Sequence, residues 1–395
     1  MNENLKKEAL ELAEEVIPFR RELHENPELS YEEENSAKTI VRELEKLDLD
    51  EIRTNIGGHG VVGLLKGEKP GKTVLLRADF DALPINECTE LPFSSKTPGK
   101  MHACGHDMHA SILLGACKYF CKNKDKINGN ILFVFQPAEE TPPDGGAKLM
   151  IRDGVLENPK VDAAVALHVW DEEVGKVAFR DGAMMAQSDR IFIKINGKAA
   201  HASQPENGHD AIVAAASIIN NIQTIVSRNV SPFTPLVITL GKIEGGSRYN
   251  VIPAEVKIEG TIRYYDPDLA EKMPEKLNNL IKPIAEGLGC SAEVELVRGY
   301  GATINDSNLY KIAYSALTTQ LGEENVVIPE YPATGGEDFS AFTREVPSLY
   351  IWLGIKSDKN IGKTTIHNEL FSPDEDAIAT GIETIATVAY EILNS

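Results

Sequence analysis

Short apolar runs that alternate with helical stretches constrain the fold of this chain more than any other feature of its sequence. They cover residues 73–78, 131–135, 163–167 and 348–353. Runs that are apolar on both faces are typical of strands buried in a largely parallel sheet, with helices covering its two sides. The sequence therefore predicts an α/β fold with a mostly parallel sheet, and residues 110–121 form one of its helices.

The middle of the chain has a different pattern, which predicts an inserted α+β domain over residues 188–297. The order strand, helix, strand, strand, helix, strand is that of a ferredoxin-like unit. A sheet-type pattern resumes afterwards and ends with a helix at 376–393, so residues 1–187 and 298–395 are expected to form one domain. A chain of 395 residues is long enough for two. The inserted elements are predicted at 190–195, 210–226, 236–240, 255–264, 269–288 and 292–297.

Composition and charge exclude several classes of function. The chain is 42% hydrophobic and 25% charged, as in ordinary globular proteins. A net charge of −20 disfavours nucleic acid and anionic membranes as partners. Residues 1–16 lack the apolar core of a signal peptide, and no run is long enough to span a bilayer. The five cysteines match no disulfide spacing, so we expect reduced thiols and a cytoplasmic location.

Polar residues of the kind that bind metals follow three of the predicted strands. Asp79 and Asp81 follow the first run, Glu139 and Glu140 the second, and His168 the third. In open α/β sheets, ligands bind at the carboxyl ends of the strands. A single Asp there is more often a turn or cap residue, but two adjacent glutamates beside a buried strand repel each other unless a cation lies between them. The sequence therefore indicates a cation site.

The segment Met-His-Ala-Cys-Gly-His-Asp-Met-His at residues 101–109 adds strong metal ligands. Thiolate and imidazole both bind borderline divalent metals, and Gly105 lets the backbone bend so that Cys104 and His106 approach one site. A structural Cys–His loop is the alternative. His367 would complete a two-metal site, although it could equally lie on the surface. In such a site one glutamate would bind metal and the other would transfer protons.

The chain resembles the M20 metallopeptidases, and specifically the branch of N-acyl-amino-acid amidohydrolases that includes hippurate hydrolases, aminoacylase-like enzymes and auxin-conjugate hydrolases. The resemblance runs nearly from end to end. It implies a catalytic domain that binds two metals and an inserted ferredoxin-like lid, which usually mediates homodimerisation. The matching motifs lie at residues 20–28, 77–84, 101–109, 136–140, 167–168, 197–203, 250–253, 260–263, 335–339 and 367–368.

The resemblance also implies a role for each candidate residue of the metal site. Cys104 would bridge two divalent ions, with Zn²⁺, Mn²⁺, Co²⁺ and Ni²⁺ all suited to the ligand set. Glu139 would be the general base, and Asp81 would orient a metal ligand. The remaining implied ligands are His106, Glu140, His168 and His367.

Lid residues are expected to complete the site. By resemblance, His201 would reach the neighbouring subunit's site and stabilise the oxyanion, while Arg263 and Asn250 would bind the substrate carboxylate. Without the motif, a surface salt bridge would be the preferred interpretation of Arg263. Glu337 and Asp338 are candidates to support the metals. Four other histidines are interpreted as structural or peripheral, with His102 and His109 as possible outer contacts of the metal site: His24, His102, His109 and His209.

The predicted reaction is hydrolysis of the amide bond of a small N-acylated amino acid, of the hippurate or N-acetylamino acid type, to a carboxylic acid and a free amino acid. An N-acetyl-diaminopimelate deacetylase, a dipeptidase or a small carboxypeptidase would share every metal residue. A metal-binding scaffold without activity would require loss of a chemical residue, and none of the expected ones is missing.

Overall fold

The computed structural model describes residues 2–360 and 362–395. Its helices are α1 (Asn2–Glu25), α2 (Glu34–Leu44), α3 (His106–Lys122), α4 (Gly145–Arg152), α5 (Ala211–Arg228), α6 (Pro267–Gly287), α7 (Ser307–Leu321), α8 (Ser340–Glu345) and α9 (Ala377–Asn394). Its strands are β1 (Glu51–Ile56), β2 (Gly60–Lys66), β3 (Lys69–Asp79), β4 (Asn128–Gln136), β5 (Ala163–Glu173), β6 (Val177–Ala178), β7 (Gly182–Met185), β8 (Gln187–Asn196), β9 (Ala200–His201), β10 (Leu236–Gly245), β11 (Val251–Ile252), β12 (Glu255–Tyr264), β13 (Ser291–Val297), β14 (Thr303–Asn305), β15 (Val326–Val327) and β16 (Ser348–Lys356).

The larger sheet has the order β1-β2-β4-β3-β5-β16-β6-β15 in the described residues. Its central strands β4, β3, β5 and β16 are parallel neighbours, and each contains one of the four apolar runs. These runs are buried because Val, Ile, Leu and Phe fit a pleated surface that helices cover. The predicted α/β class with a mostly parallel sheet is confirmed.

Two parts of this sheet were not predicted. β1 and β2 form an antiparallel pair at one edge, where the mixed polarity of β1 suits an outer strand with partial solvent exposure. Strand β6 pairs antiparallel with β16 and parallel with the two-residue β15. Runs as short as β6 and β15 carry too little periodicity to be recognised in a sequence.

Helices α1, α3 and α9 pack on one another, and α3 and α9 also contact β3. Nearly every residue of α9 is buried, which explains its apolar character all round. Gly115 and Gly381 bring α3 and α9 close together: a Cβ at Gly115 would lie 2.3 Å from Ile382 Cδ1, and one at Gly381 would lie 2.5 Å from Ile112 Cδ1. The close packing of these helices therefore depends on two residues without side chains.

A second compact unit comprises Met185–Thr303 and Ala333–Glu337, whereas residues 188–297 were expected to form the insert. Its antiparallel sheet has the order β10-β12-β8-β13, and α5 and α6 supply the helices of the strand–helix–strand–strand–helix–strand sequence. Both helices begin after an aspartate, Asp210 or Asp266, whose side chain accepts backbone N–H bonds of the first turn. A buried core of mainly isoleucine and alanine joins the helices to the sheet.

No helix of the described residues combines the length and the apolar character that are needed to cross a bilayer.

Candidate metal centre

The carboxyl ends of the central strands of the larger sheet collect the side chains that the sequence singled out. Cys104, His106 and His168 have potential ligand atoms within 4.8 Å of one another. The same limit holds for the set Cys104, Glu140 and His367, and for the set His106, Glu139 and Glu140. The three overlapping sets form one group, which we call the ligand cluster: Cys104, His106, Glu139, Glu140, His168 and His367.

The backbone around Gly105 determines how the 101–109 segment enters this cluster. α3 begins at His106, four residues earlier than predicted, and Gly105 precedes it with φ of 84°. A Cβ at this position would lie 2.6 Å from Val169 Cγ2, so glycine is needed for both conformation and space. The sharp turn places Cys104 before the helix and His106 in its first turn. The His367 N–H donates to the Ala103 carbonyl at 2.7 Å, which ties the distant C-terminal ligand to this segment.

Asp81 fixes the orientation of the His106 ring. The Nδ1–H of His106 donates to the Asp81 carbonyl at 3.0 Å and faces its carboxylate at 3.1 Å. Nε2 is therefore the ring nitrogen left for a ligand, and this buried atom has no hydrogen-bond partner in the described residues. Burial lowers the pKa of His106, but Asp79, Asp81 and Glu140 together raise it to about 10. A metal ion at Nε2 must therefore displace a proton.

His168 and Cys104 face each other across the cluster. The Nδ1–H of His168 donates to the Val169 carbonyl at 2.7 Å, so Nε2 faces Cys104 Sγ at 3.5 Å. Burial holds the pKa of His168 well below its usual value, which keeps the ring neutral as a ligand must be. Burial, with the charges of Glu140 and Glu139 adding to it, raises the pKa of the Cys104 thiol well above its usual value. The thiolate therefore requires a nearby cation.

Glu140 and His367 form the more open side of the cluster. His367 Nε2 lies 3.2 Å from Glu140 Oε1, and the side chain of His367 is 50% exposed. Glu140 Oε1 is nevertheless a buried atom without a hydrogen bond in the described residues. Its backbone N–H donates to Asp81 Oδ2 at 3.0 Å, so Asp81 holds both His106 and Glu140. Glu139 is buried beside them, and its side chain is 7% exposed.

Asp79 and His109 support the cluster, a role that the sequence did not assign to Asp79. His109 donates from Nδ1 to Asp79 at 2.5 Å and accepts the Val169 N–H at Nε2, so both ring nitrogens are engaged. Burial favours a raised pKa at Asp79, but Arg77 and the two histidines hold it well below the usual range. Asp79, His106 and His109 are close enough to form a further set of potential ligands. Their existing bonds make Asp79 and His109 supports rather than free donors.

A buried polar network behind Asp79 includes Asp338, one of the residues expected to support the metals. Arg77 donates to Asp79 and Asp338 at 2.7 Å each, and to Gln136 at 2.9 Å. Asp338 also accepts the Ala147 N–H at the start of α4. This role of Arg77 was not predicted from the sequence. The available signal was that a charged residue interrupts an otherwise apolar run.

The donor set fits divalent metal ions. Two buried acceptor atoms, His106 Nε2 and Glu140 Oε1, lack hydrogen-bond partners in the described residues, and the Cys104 thiol is held where a cation is needed to ionise it. Thiolate, imidazole and carboxylate are the ligands that Zn²⁺ and similar ions prefer. Asp81 orients two of these donors from outside the set, which is typical of metal sites.

Two histidines near the cluster differ in their surroundings. His24 donates from both ring nitrogens, to Asp107 at 2.9 Å and to Glu87 at 3.2 Å, and these carboxylates raise its pKa although burial opposes the shift. His102 is buried with no hydrogen bond at either nitrogen in the described residues, and burial lowers its pKa to about 4. Neither ring belongs to the ligand cluster.

The three remaining candidates lie in the smaller unit. β9 and β11 pair His201 with Val251, and the Ala202 N–H donates to the Asn250 carbonyl at 3.2 Å, so His201 and Asn250 are near neighbours. His201 is exposed, and its Nδ1 accepts the Ser203 hydroxyl at 2.7 Å. Arg263 lies on β12, and no carboxylate of the described residues forms an ion pair with it. Burial lowers the pKa of Arg263, partly offset by Asp189.

A mostly parallel α/β sheet with Cys, His and Glu donors at its carboxyl edge provides a candidate site for divalent metal ions. The chain belongs to Peptidase family M20/M25/M40, whose sequence pattern matches residues 75–391. Membership of this family and the named relatives below establish that it acts on amide bonds.

Two relatives and one solved structure illustrate the range of the similarity. The chain is 37% identical to thermostable carboxypeptidase 2 of Saccharolobus solfataricus, over 99% of each chain. It is 38% identical to N-acetyldiaminopimelate deacetylase of Listeria monocytogenes, over 94% of this chain and 97% of the other. The crystal structure of the Bacillus subtilis YXEP protein, a dinuclear metal-binding peptidase of the M20 family, matches with a TM-score of 0.83 and 32% identity, covering 97% and 99% of the two chains.

Proposed function

We propose that this protein hydrolyses the amide bond of small N-acylated amino acids, releasing a carboxylic acid and a free amino acid. The observation that carries the proposal is the different environment of two adjacent glutamates. Glu140 directs a buried oxygen without a hydrogen bond into the ligand cluster, whereas Glu139 lies beside His106 and Glu140 as a second buried carboxylate. This arrangement provides one carboxylate for metal and one for proton transfer.

The proposed site holds two divalent cations, bound by Cys104, His106, Glu140, His168 and His367. Cations bound there would polarise the amide carbonyl and lower the pKa of a water molecule. Zn²⁺, Mn²⁺, Co²⁺ and Ni²⁺ all suit a mixed thiolate, imidazole and carboxylate set. The dinuclear relative of Bacillus subtilis supports the number of ions.

Proton transfer is assigned to Glu139. Its carboxylate accepts a proton from the attacking water as the new C–O bond forms at the carbonyl carbon. It then delivers that proton to the amide nitrogen as the C–N bond breaks, so the amine leaves in neutral form and Glu139 is regenerated. His201 of a neighbouring subunit is proposed to donate a hydrogen bond to the oxyanion.

Substrate recognition is assigned to Arg263 and Asn250. A half-buried guanidinium without an ion pair in the described residues suits a ligand carboxylate, because the fork of N–H donors matches two carboxylate oxygens. Among the residues that the structure describes, Arg263 has none of the salt bridges that would explain it structurally. The proposed substrate therefore has a free carboxylate next to the amide nitrogen.

A panel of substrates tests the reaction and separates its variants. Metal-free protein reloaded with each of the four cations would be assayed on hippurate, N-acetylamino acids, N-acetyl-diaminopimelate, a dipeptide and an acylated tripeptide. We expect the short acyl amino acids to be hydrolysed and their methyl esters at the amino-acid carboxylate to bind at least 10-fold more weakly, because they lack the charge that Arg263 binds. Absence of hydrolysis across the panel, with metal bound, would exclude the proposal.

Two relatives define the competing substrates. Preference for N-acetyl-diaminopimelate would favour the activity named for the Listeria relative, and preference for the acylated tripeptide would favour a carboxypeptidase, as named for the Saccharolobus relative. These activities share a scissile amide and differ in the size and charge of the groups around it. Relative kcat/KM values on the panel therefore decide among them.

The smaller unit is further proposed to form a homodimer, in line with its proposed role as a lid. Strand β10 lies at the edge of its sheet, and apolar side chains of β10 and α5 are exposed: Ile212, Val213, Val237 and Ile243. An exposed edge strand with apolar neighbours favours pairing with a second copy. We expect a dimeric mass by light scattering and a monomer for Ile243→Lys, and a monomeric wild type would contradict this assignment.

A cytoplasmic location remains a prediction.

A further inference from the structure

A glutamate outside the ligand cluster holds the loop that carries Glu139 and Glu140. Glu33 precedes α2, its side chain is fully buried, and its Oε1 accepts the backbone N–H of Ala138 at 2.8 Å. Oε2 is buried and has no hydrogen-bond partner in the described residues. The carboxylate of Glu33 therefore binds a backbone group that lies 105 residues away in the sequence and next to the proposed base.

The backbone group that Glu33 holds is conformationally unusual. Ala138 has φ of 55°, in the left-handed region that residues with a side chain rarely adopt. The Ala138 carbonyl accepts the Gly146 N–H at 3.0 Å, and the Glu140 N–H donates to Asp81 at 3.0 Å. Three hydrogen bonds thus fix the turn, and Glu33 supplies the one at its beginning.

The surroundings of Glu33 argue against a role in stability alone. Burial and the nearby charge of Asp81 raise the pKa of Glu33 to about 7, although backbone N–H groups, including that of Ala138, oppose the shift. An amide or hydroxyl could accept one N–H bond at a lower desolvation cost than a carboxylate. A buried carboxylate is costly to desolvate, and this one binds a turn of unusual backbone conformation beside functional residues. This combination indicates a positioning role.

We propose that Glu33 is a positioning residue for the two glutamates: by accepting the Ala138 N–H, it fixes the left-handed turn from which Glu139 and Glu140 enter the ligand cluster. This inference deepens the proposed function and rests on it for its activity readout. Its metal-binding readout depends only on Glu140 being a ligand.

Two variants of nearly equal volume isolate the hydrogen bond. Glu33→Gln keeps an oxygen that can accept the Ala138 N–H, whereas Glu33→Met fills the space without an acceptor. We expect Glu33→Met to weaken Zn²⁺ affinity, measured by chelator competition, and to lower kcat at saturating Zn²⁺, each by roughly 10–100-fold with KM little changed. Glu33→Gln should stay within about threefold of wild type in both, because the bond persists.

Glu28 offers a matched control at the same end of α2. Its carboxylate accepts the Ser36 N–H at 2.8 Å and the Ser36 hydroxyl at 2.9 Å, so it also anchors this helix without contacting the loop. Glu28→Met should leave Zn²⁺ affinity and kcat near wild type. Equal losses in Glu28→Met and Glu33→Met, or none in Glu33→Met, would overturn the proposal.

Two additional variants cover the remaining outcomes. Ala138→Gly in the Glu33→Met background should recover at least threefold in Zn²⁺ affinity, since glycine adopts positive φ without penalty; no recovery would contradict the role of the turn. If Glu33→Met does not fold, Glu33→Asp replaces it, because the shorter side chain withdraws the acceptor, and wild-type affinity there would also overturn the proposal. A wild-type protein that binds Zn²⁺ but hydrolyses nothing in the panel would refute the proposed function alone.

Discussion

Adjacent residues of one chemical type acquire different roles through their individual contacts. Both carboxylates belong to the ligand cluster, but Asp81 binds the backbone of Glu140, whose Oε1 faces His367 at 3.2 Å, whereas Glu139 is the more deeply buried of the two. The histidines differ in the same way. His106 and His168 each use Nδ1 for a protein oxygen and leave Nε2 for a ligand, but His109 uses both nitrogens for protein partners. An Nε2 atom that faces the ligand cluster instead of a backbone group is what distinguishes these ligand candidates from a support.

Substitution of Glu139 by glutamine should separate catalysis from metal binding. An amide at this position cannot accept a proton from water, so kcat should fall by about 10²–10⁴-fold. Metal content, measured by elemental analysis, should stay near two ions per chain because Glu140 remains. Glu140→Gln provides the comparison and should lose metal. Retention of activity in Glu139→Gln would assign the base to another residue.

The buried His102 should make the metal-free protein less stable in acid. Its pKa lies at about 4 in the folded protein and at about 6.5 when unfolded, so the unfolded state binds more protons between these values. The stability contributed by the neutral ring is present above pH 6.5 and is lost as the pH falls towards 4, by up to about 3 kcal/mol. Urea unfolding at several pH values measures this slope. His102→Gln should flatten it over this window, and an unchanged slope would show that other groups cause it.

At the scale of elements, close packing on α9 holds α3, the helix that begins at the ligand cluster. α3 carries His106 in its first turn, and its glycine at 115 allows Ile382 of α9 to approach. α3 therefore serves two purposes. Its N-terminal end carries the candidate ligand His106, and the rest of the helix packs that end against the core.

The close approach of these helices predicts a difference between two glycine substitutions. Gly381→Val would place its Cβ 2.5 Å from Ile112 Cδ1, so overpacking should destabilise the protein by about 1–3 kcal/mol. Gly287→Val, at the end of α6, meets nothing within 4 Å and should change stability by less than about 0.5 kcal/mol. Chemical denaturation compares the two free energies of unfolding. Equal effects would mean that α3 and α9 can separate without cost.

At the scale of the whole molecule, the ligand cluster joins segments that are far apart in the chain. Cys104 and His106 precede or begin α3, Glu140 follows β4, His168 belongs to β5, and His367 follows β16. Metal ions held by these residues would bind the folded state and not the separated segments of the unfolded chain. Metal binding should therefore stabilise the fold.

Removal of metal by a chelator should lower the Tm, and added Zn²⁺ should restore it. At a free concentration of 100 times the Kd, one bound ion contributes about 2.7 kcal/mol. Cys104→Ala should reduce this Zn²⁺-dependent rise because the cluster loses its thiolate. Differential scanning calorimetry with and without chelator makes the measurement, and an equal rise in wild type and Cys104→Ala would place the ion elsewhere.

The sequence alone determined the mostly parallel sheet and the residues that gather at its edge. Buried strands are encoded locally, as apolar runs such as that of β4, and the residues after them, Glu139 and Glu140, must lie at the carboxyl edge wherever the strands are parallel. The bend at Gly105 could also be predicted from the sequence, because conformational freedom is a property of glycine itself. These features depend on neighbours in the chain, which a sequence contains.

Only the tertiary structure decided which atoms face one another. The bonds of Arg77 to Asp338, of Asp79 to His109 and of Glu33 to Ala138 join residues that are 261, 30 and 105 positions apart. Each hydrogen bond depends on how helices and strands are placed in space. The sequence offers many possible partners for each of these side chains and does not distinguish among them. Side-chain roles at this site follow from burial and hydrogen-bond partners, and these exist only once the chain has folded.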